Sequence, residues 1–316
     1  MPALRKIVSC WLGIALLCIA EMASARIQIL LSHPTSPYRV LAEAVSKRVE
    51  GQSVSIIELE RDSDVPDAIL RAPDVLNIAI GSRAMVFALK EMPSIPLLVT
   101  LVPSNAYEDL LKTHGPPSSE GKVSAIFLDQ PLKRQIAFVR LLMPEKRRMG
   151  VLIGQHSYRY VKLLRRLADD YKLTLRIGDA RENRIPDAIK DIISGSDFVL
   201  ALHDSSLLTP NHAKWLLYMA YQRRIPVIGY SKTYVKAGAL AALYSANDQI
   251  ADQAASLLAR SGLGKGSVLL LPSPEYPDDF SIEVNHSVAY SFSIRGIDLD
   301  AITEQLHRLP KEKRRL

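Results

Sequence analysis

The chain has 316 residues, of which 48% are hydrophobic and 23% are charged, and its formal net charge is +7. This composition excludes a disordered chain, and the length is enough to bury one large core or two ordinary ones. The basic residues do not alternate with stacking aromatic residues, so no nucleic acid is expected as a partner.

The first 25 residues have the pattern of a secretory signal peptide. Arg5 and Lys6 precede an apolar run over residues 7–20, and the small residues of Ala23-Ser24-Ala25 follow. The run is shorter than the roughly 20 apolar residues that span a bilayer, which favours cleavage after residue 25 over an uncleaved anchor. We therefore expect export to the periplasm. Both cysteines precede this cleavage site, so a mature chain without disulfides is expected.

From residue 26 onward, apolar runs of strand length alternate with segments of helical periodicity. The segments of the first half are RIQILLS (26–32), YRVLAEAVSKRVE (38–50), SVSIIEL (53–59), DVPDAILRA (64–72), VLNIAIG (75–81), SRAMVFALKEM (82–92), IPLLVTLVP (95–103), YEDLLKTHG (107–115) and KVSAIFLDQP (122–131). Strands that alternate with helices predict a parallel sheet covered by helices on both faces.

The same alternation begins again in the second half of the chain. Its segments are LKRQIAFVRLLMP (132–144), RRMGVLIG (147–154), YRYVKLLRRLADDY (158–171), KLTLRIGDA (172–180), IPDAIKDIIS (185–194), DFVLALHD (197–204), PNHAKWLLYMAYQRR (210–224) and IPVIGYS (225–231). A further helix over 248–262 and a strand with a short helix over 280–294 have no sheet of their own. They must dock on the earlier units, so the chain is expected to cross between domains more than once.

The predicted fold class is α/β, with two Rossmann-like parallel-sheet domains joined by a hinge of several crossings. The predicted limits are 26–145 plus about 247–272 for the N-terminal lobe, 146–246 plus about 273–300 for the C-terminal lobe, and 301–316 for a basic tail. Each lobe has the size of an ordinary domain.

The loops after the predicted strands contain mostly small, hydroxyl-bearing residues. Ligands bind at these ends of an open parallel sheet, where helix N-termini present unpaired N–H groups. If the two sheets face each other, the loops line one cleft for a small polar ligand. The candidate ligand-binding residues are His33, Ser36, Gly81, Ser82, Arg83, Ser104, His156, Ser157, Asp204, Ser205, Tyr230 and Ser231. Each serine alone also fits a helix N-cap, and Arg83 fits an exposed position as well as an anion contact.

Two short motifs resemble parts of a hydrolase site. Residues 229–233 read Gly-Tyr-Ser-Lys-Thr, with threonine where a nucleophile elbow has its second glycine. His203-Asp204-Ser205 are neighbours on one loop, and this geometry does not support a Ser-His-Asp relay. The histidines show no metal-binding spacing, so His33, His156 and His203 are interpreted as hydrogen-bonding groups. We therefore expect no enzyme, no metal and no cofactor.

The segment PLKRQIAFVRLLMPEKRRMGVLIG (131–154) resembles the connection between domains in one protein family. This family is that of the ABC-transporter substrate-binding proteins with the type I periplasmic binding protein fold, in the group that includes tryptophan and tyrosine binders. The segment at 225–266 is similar to another part of the family, with Ser231 at a strand end and Gly238-Ala239 ahead of Tyr244.

The resemblance implies a two-domain clamp that closes on a small polar ligand, such as an amino acid or another carboxylate. It adds Tyr244 to the candidate ligand-binding residues, and it implies a monomer that delivers its ligand to the membrane permease of an ABC importer. Three departures concern the ligand. Val102-Pro103-Ser104-Asn105 stands where the family has Asp-Pro, Arg83 adds a cation, and Tyr234 and Lys236 flank a position that is often less bulky in the family. An accessory protein that reports the ligand to a membrane receptor is the alternative, and an exported hydrolase is the third possibility.

Overall fold

A computed structural model describes residues 26–49, 51–59, 75–115, 122–181, 184–207, 209–262 and 269–310. The predicted signal peptide, the predicted helix at 64–72 and the last six residues of the predicted tail lie outside the described residues. Within the described part of the chain, no helix has the length and apolar character needed to cross a membrane.

The first sheet is entirely parallel, with the strand order β2-β1-β3-β4-β5. Its strands are β1 (Arg26–Leu31), β2 (Ser53–Glu58), β3 (Val75–Ile80), β4 (Leu97–Thr100) and β5 (Val123–Ile126), and the helices between them are α1 (Tyr38–Arg48), α2 (Ser82–Glu91) and α3 (Ser104–His114). Strands β4 and β5 are buried along their whole length. Helices therefore cover both faces of this sheet, as the continuous apolar runs predicted.

The second sheet has the strand order β11-β10-β9-β8-β6-β7, and only the β10–β11 pair is antiparallel. Its strands are β6 (Arg148–Ile153), β7 (Thr174–Asp179), β8 (Phe198–Leu200), β9 (Val227–Gly229), β10 (Ala241–Tyr244) and β11 (Ser281–Val284). The helices that follow β5 in the chain are α4 (Leu132–Leu142), α5 (Val161–Asp170) after a 3₁₀ turn (Tyr158–Tyr160), α6 (Ile185–Gly195), α7 (Pro210–Gln222), α8 (Lys232–Lys236), α9 (Asn247–Arg260), α10 (His286–Ser291) and α11 (Leu299–His307). Strand β10 and helices α8 and α11 were not predicted from the sequence.

In the described residues the chain passes between the two sheets three times. The first crossing is 127–131, between β5 and α4, and the second is 245–246, between β10 and α9. Helix α9 then packs on α1 in the core of the first lobe, and Glu275 pairs with β5 through hydrogen bonds to Ala125 and Phe127. The third crossing, 276–280, leads to β11 in the second sheet. The expectation of more than one crossing is thus met.

Two of the predicted domain limits need correction. The predicted limit at 145 places helix α4 in the N-terminal lobe, but its apolar face packs in the core of the second lobe through Ile136 and Phe138. The lobe boundary therefore lies at the first crossing rather than at 145. Helix α11 also packs in that core through Ile302 and Leu306, so the tail predicted from 301 begins too early.

Candidate functional site

The carboxyl ends of the two sheets meet across the lobes. Asn105, at the start of α3, donates a hydrogen bond from Nδ2 to the main-chain oxygen of His203, which follows β8, at 2.9 Å. The hydroxyl oxygens of Ser104 and Tyr160, which lies between β6 and α5, are 2.7 Å apart. Loops that end strands of different sheets are therefore in direct contact, as the clamp hypothesis requires.

A polar cluster formed by Ser104, Asp129, Tyr160 and Tyr276 lies at this junction. Asp129 belongs to the first crossing, and its carboxylate accepts hydrogen bonds from the Ser104 main-chain N–H at 2.6 Å and hydroxyl at 2.7 Å. Burial raises the pKa of the Asp129 carboxyl above its usual value, although the Ser104 hydrogen bonds oppose this shift. Tyr276, from the third crossing, donates to Ser104 Oγ at 3.4 Å. The cluster thus joins both lobes and two crossings.

Asp204, which follows β8, organises the neighbouring loops. Its Oδ2 accepts hydrogen bonds from the main-chain N–H and hydroxyl of Ser157 at 2.7 and 2.6 Å, and its Oδ1 accepts from those of Ser206 at 2.9 and 2.6 Å. Burial alone would raise the pKa of the Asp204 carboxyl, but these hydrogen bonds outweigh it and hold the pKa below its usual value. Ser157 and Asp204, both candidate ligand contacts, therefore bind each other, which favours a structural role for the pair.

An ion-pair cluster links the lobes at the edge of the junction. Asp109 of α3 accepts a hydrogen bond from His156 Nδ1 at 3.0 Å and forms an ion pair with Arg159. The neighbouring Glu108 binds the Arg159 guanidinium at 2.5 Å. Burial opposes ionisation of Asp109, but the hydrogen bonds from His156 and Arg159 hold its pKa below the usual value. His156 is thus committed to a contact between the lobes.

Aromatic side chains extend from this junction along the second lobe. The His203 and Tyr230 rings have centroids 4.5 Å apart, and the Tyr230 and Tyr234 rings are 5.1 Å apart. Burial lowers the pKa of His203 to about 4, so its imidazole is neutral at physiological pH. Burial also raises the pKa of Tyr230, whose phenol therefore remains protonated. Tyr234 is buried, so only the His203 and Tyr230 rings are partly accessible, and these two are neutral.

The structure places the other candidates at separate positions around the strand ends. His33 and Ser36 are exposed after β1, Ser82 is exposed at the start of α2, and Ser205 is exposed beside Asp204. Arg83 is half-buried.

Three further candidates have structural contacts. Gly81 is buried with a φ of 93°, and a Cβ there would lie 2.6 Å from Ser32 Oγ, so this position requires glycine. The Ser231 hydroxyl caps α8 by accepting the Tyr234 main-chain N–H at 3.2 Å. Tyr244 forms a hydrogen bond with Glu283. Burial raises the pKa of Tyr244, and the negative charge of Glu283 raises it further.

Several residues of the junction were not among the candidates, and they include Asn105, Glu108, Asp109, Asp129, Arg159, Tyr160 and Tyr276. Asn105 and Asp129 follow strands β4 and β5, so the rule that singled out Ser104 would also have included them. Tyr276 carries no comparable signal, because its position depends on the third crossing. Across the described residues, no three His, Cys, Asp or Glu side chains are grouped as a metal site.

Two parallel α/β lobes with three crossings and contacting strand ends define the class of type I periplasmic binding proteins. The family model of the ABC transporter substrate binding proteins matches residues 68–269. The chain belongs to this family, and it is therefore a non-enzymatic substrate-binding protein of an ABC transporter system. A comparison with curated protein sequences gives no match.

Solved structures from three organisms share this fold at low sequence identity. A conserved domain protein from Vibrio cholerae O1 biovar El Tor is 17% identical, with a TM-score of 0.61 over 89% of this chain and 98% of that one. The ABC domain from Streptococcus pneumoniae in complex with L-Trp is 13% identical, with a TM-score of 0.60 over 86% and 96%. The ligand-free, open structure of a substrate-binding protein with adhesive properties from Clostridium difficile is 16% identical, with a TM-score of 0.66 over 86% and 96%.

Proposed function

We propose that the protein is an exported receptor that closes around a small polar ligand and delivers it to the membrane permease of an ABC importer. The observation that carries this proposal is the contact between strand-end loops of the two sheets, through Asn105, Ser104 and their partners His203 and Tyr160. Loops that meet in this way can enclose a solute, and hinge closure can report occupancy to a permease. The proposed location is the periplasm, and the proposed working form is a monomer.

The residues around the junction suit a ligand with both polar and flat apolar parts. Ser82 is exposed at the N-terminus of α2, where unpaired N–H groups favour a carboxylate. The half-buried Tyr230 ring, which lies tilted against the His203 ring, offers an aromatic face on the opposite lobe. The S. pneumoniae relative was solved with L-Trp. We therefore favour an amino acid over a sugar as the ligand.

A thermal-shift screen of the mature chain tests the proposal. The panel contains amino acids, small carboxylic acids, sugars and nucleosides. A ligand present at 100 times its Kd stabilises the folded state by about 2.7 kcal/mol, which raises Tm by several degrees. If no compound class raises Tm although the protein is folded, the proposed function is wrong.

A pair of variants then tests the placement of the ligand. Tyr230→Ala removes the aromatic face at the junction and should weaken binding of the identified ligand at least about 10-fold in calorimetry. Tyr290→Ala removes an exposed tyrosine of α10, and it should leave the affinity unchanged. Equal effects of the two variants on the affinity would show that the ligand does not bind at the junction.

A further inference from the structure

Two carboxylates follow strands, one from each sheet, and their surroundings differ. Asp204 follows strand β8 of the second sheet and accepts four hydrogen bonds, two on each oxygen. Asp129 follows strand β5 of the first sheet and receives one side-chain hydrogen bond and one main-chain hydrogen bond from Ser104. The pKa of Asp204 is lowered and that of Asp129 is raised. The charge of Asp129 is thus less well compensated.

No cation in the described part of the chain forms an ion pair with Asp129. Other acidic residues near the strand ends do have one: Glu108 and Asp109 bind Arg159, Asp179 binds Arg181, and Glu283 binds Lys232. Asp129 is half-buried, and a carboxylate that is partly removed from water without a cation is costly, because the protein interior solvates charge poorly. Asp129 therefore has both the acceptor capacity and the electrostatic need for a positive group.

The groups around Asp129 are further oxygen acceptors. Ser104 Oγ, Tyr160 OH and Tyr276 OH form one hydrogen-bonded set, with Ser104 between the carboxylate and the two phenols. Burial raises the pKa of Tyr160, and the charge of Asp129 raises it further, so the phenol stays neutral. A primary ammonium group has three N–H donors and one positive charge. One carboxylate flanked by hydroxyl oxygens suits such a group in both respects.

We propose that the Asp129 carboxylate, with the hydroxyls of Tyr160 and Tyr276, binds an ammonium group of the ligand. The ligand class is therefore a primary amine, such as an amino acid, rather than a sugar or a simple carboxylate. This inference rests on the proposed receptor function and assigns one end of the ligand to the polar cluster. The first crossing supplies the anion and the second lobe supplies Tyr160, so the cluster is complete only when the lobes are together.

The experiment compares amines with their deaminated counterparts on the mature chain. The probes are the twenty proteinogenic L-amino acids and the matching carboxylic acids that lack the amino group, measured by thermal shift and then by calorimetry. At least one amino acid should bind. Its deaminated partner should bind at least about 100-fold more weakly, because the half-buried Asp129 carboxylate then lacks a positive partner. Equal binding of the two compounds would overturn the inference.

Three variants separate this role from a purely structural one. Asp129→Asn keeps the shape and one acceptor but removes the charge, and should weaken binding of the amino acid at least about 100-fold. Tyr160→Phe removes one hydroxyl and keeps the ring, with an expected loss of roughly 10-fold. Asp169→Asn removes an exposed carboxylate of α5 and should leave the affinity unchanged. Circular dichroism verifies that each variant is folded.

The outcomes distinguish this inference from the proposed function. If only sugars, nucleosides or simple acids stabilise the protein, the ammonium site is wrong while the receptor function stands. If Asp129→Asn is folded and binds the amino acid within about 2-fold of the unsubstituted chain, the carboxylate serves only to hold Ser104. If no compound of any class binds, the receptor function fails and the inference fails with it.

Discussion

The role of Asp204 in the second lobe can be tested by removing its carboxylate. Asp204→Ala leaves the main-chain N–H and hydroxyl of Ser157 without an acceptor, and Ser157 is fully buried. Each unsatisfied buried donor costs about 1–3 kcal/mol. Ser206 is exposed, so water can replace the carboxylate on that side. The expected loss in the free energy of unfolding is therefore about 2–6 kcal/mol.

Urea denaturation of the mature chain, followed by circular dichroism, measures this loss. Asp204→Asn should lose roughly half as much, because its amide oxygen can still accept from Ser157 while its NH₂ group faces Ser206 and solvent. Ser205→Ala, next in the chain and exposed, should stay within about 0.5 kcal/mol. A loss below about 1 kcal/mol for Asp204→Ala would refute the reasoning that this carboxylate holds the loops together.

The pH dependence gives a second check on the same group. The folded-state pKa of Asp204 lies below its unfolded value of about 3.9, so the folded state binds this proton less readily. Its contribution to stability is fully present well above pH 4 and is lost as pH falls through the lowered folded pKa. The difference in unfolding free energy between the unsubstituted chain and Asp204→Ala should thus be constant from pH 8 to about pH 5 and shrink below pH 4.

Three further substitutions test other parts of the structure. Gly81→Ala should lower the free energy of unfolding by about 1–3 kcal/mol more than Gly238→Ala does. Both glycines have a positive φ, 93° at Gly81 and 118° at Gly238, but a Cβ would meet other atoms only at Gly81. Leu306→Ala should cost about 2–5 kcal/mol and Gln305→Ala almost nothing if α11 belongs to the core, since Leu306 is 1% exposed. Arg159→Gln should change the free energy of unfolding by less than about 1 kcal/mol, because its ion pairs are partly exposed. It should weaken ligand binding several-fold at low salt, since these ion pairs favour the closed form, and it should have no such effect at about 1 M salt, where the charges are screened.

The sheet-and-helix order of the lobes could be predicted from the sequence because burial leaves a local signal. Strands such as β3 and β4 are buried on both faces, so they read as nearly continuous apolar runs, although β3 contains the buried Asn77. Strand β10 was missed because its letters, AALY, continue a small-residue stretch after Gly238 and lack β-branched residues. The local sequence thus predicts which segments are buried, but it identifies a segment as a strand only where the residues also have a high β-propensity.

The assignment of elements to lobes depends on contacts between distant residues. Helix α4 has the apolar periodicity of a covering helix, but this pattern does not specify which sheet it covers. The junction has the same limitation, because Asn105 and His203 are 98 positions apart in the chain and Ser104 and Tyr276 are 172 apart. The sequence could indicate which loops carry polar residues, but not which of those residues meet.

The position of Asp129 connects ligand binding to lobe closure. Asp129 lies in the first crossing and Tyr276 in the third, while Tyr160 belongs to the second lobe and reaches the cluster through Ser104. A ligand shifts an equilibrium between open and closed forms only by its difference in affinity for the two. An ammonium group at Asp129 would meet the carboxylate in either form, but it would meet the Tyr160 hydroxyl only when the lobes are together. Tyr160→Phe should therefore reduce the compaction that the amino acid causes, measured by small-angle scattering at saturating ligand. The affinity of the open form, in which the ligand does not meet the Tyr160 hydroxyl, should change little.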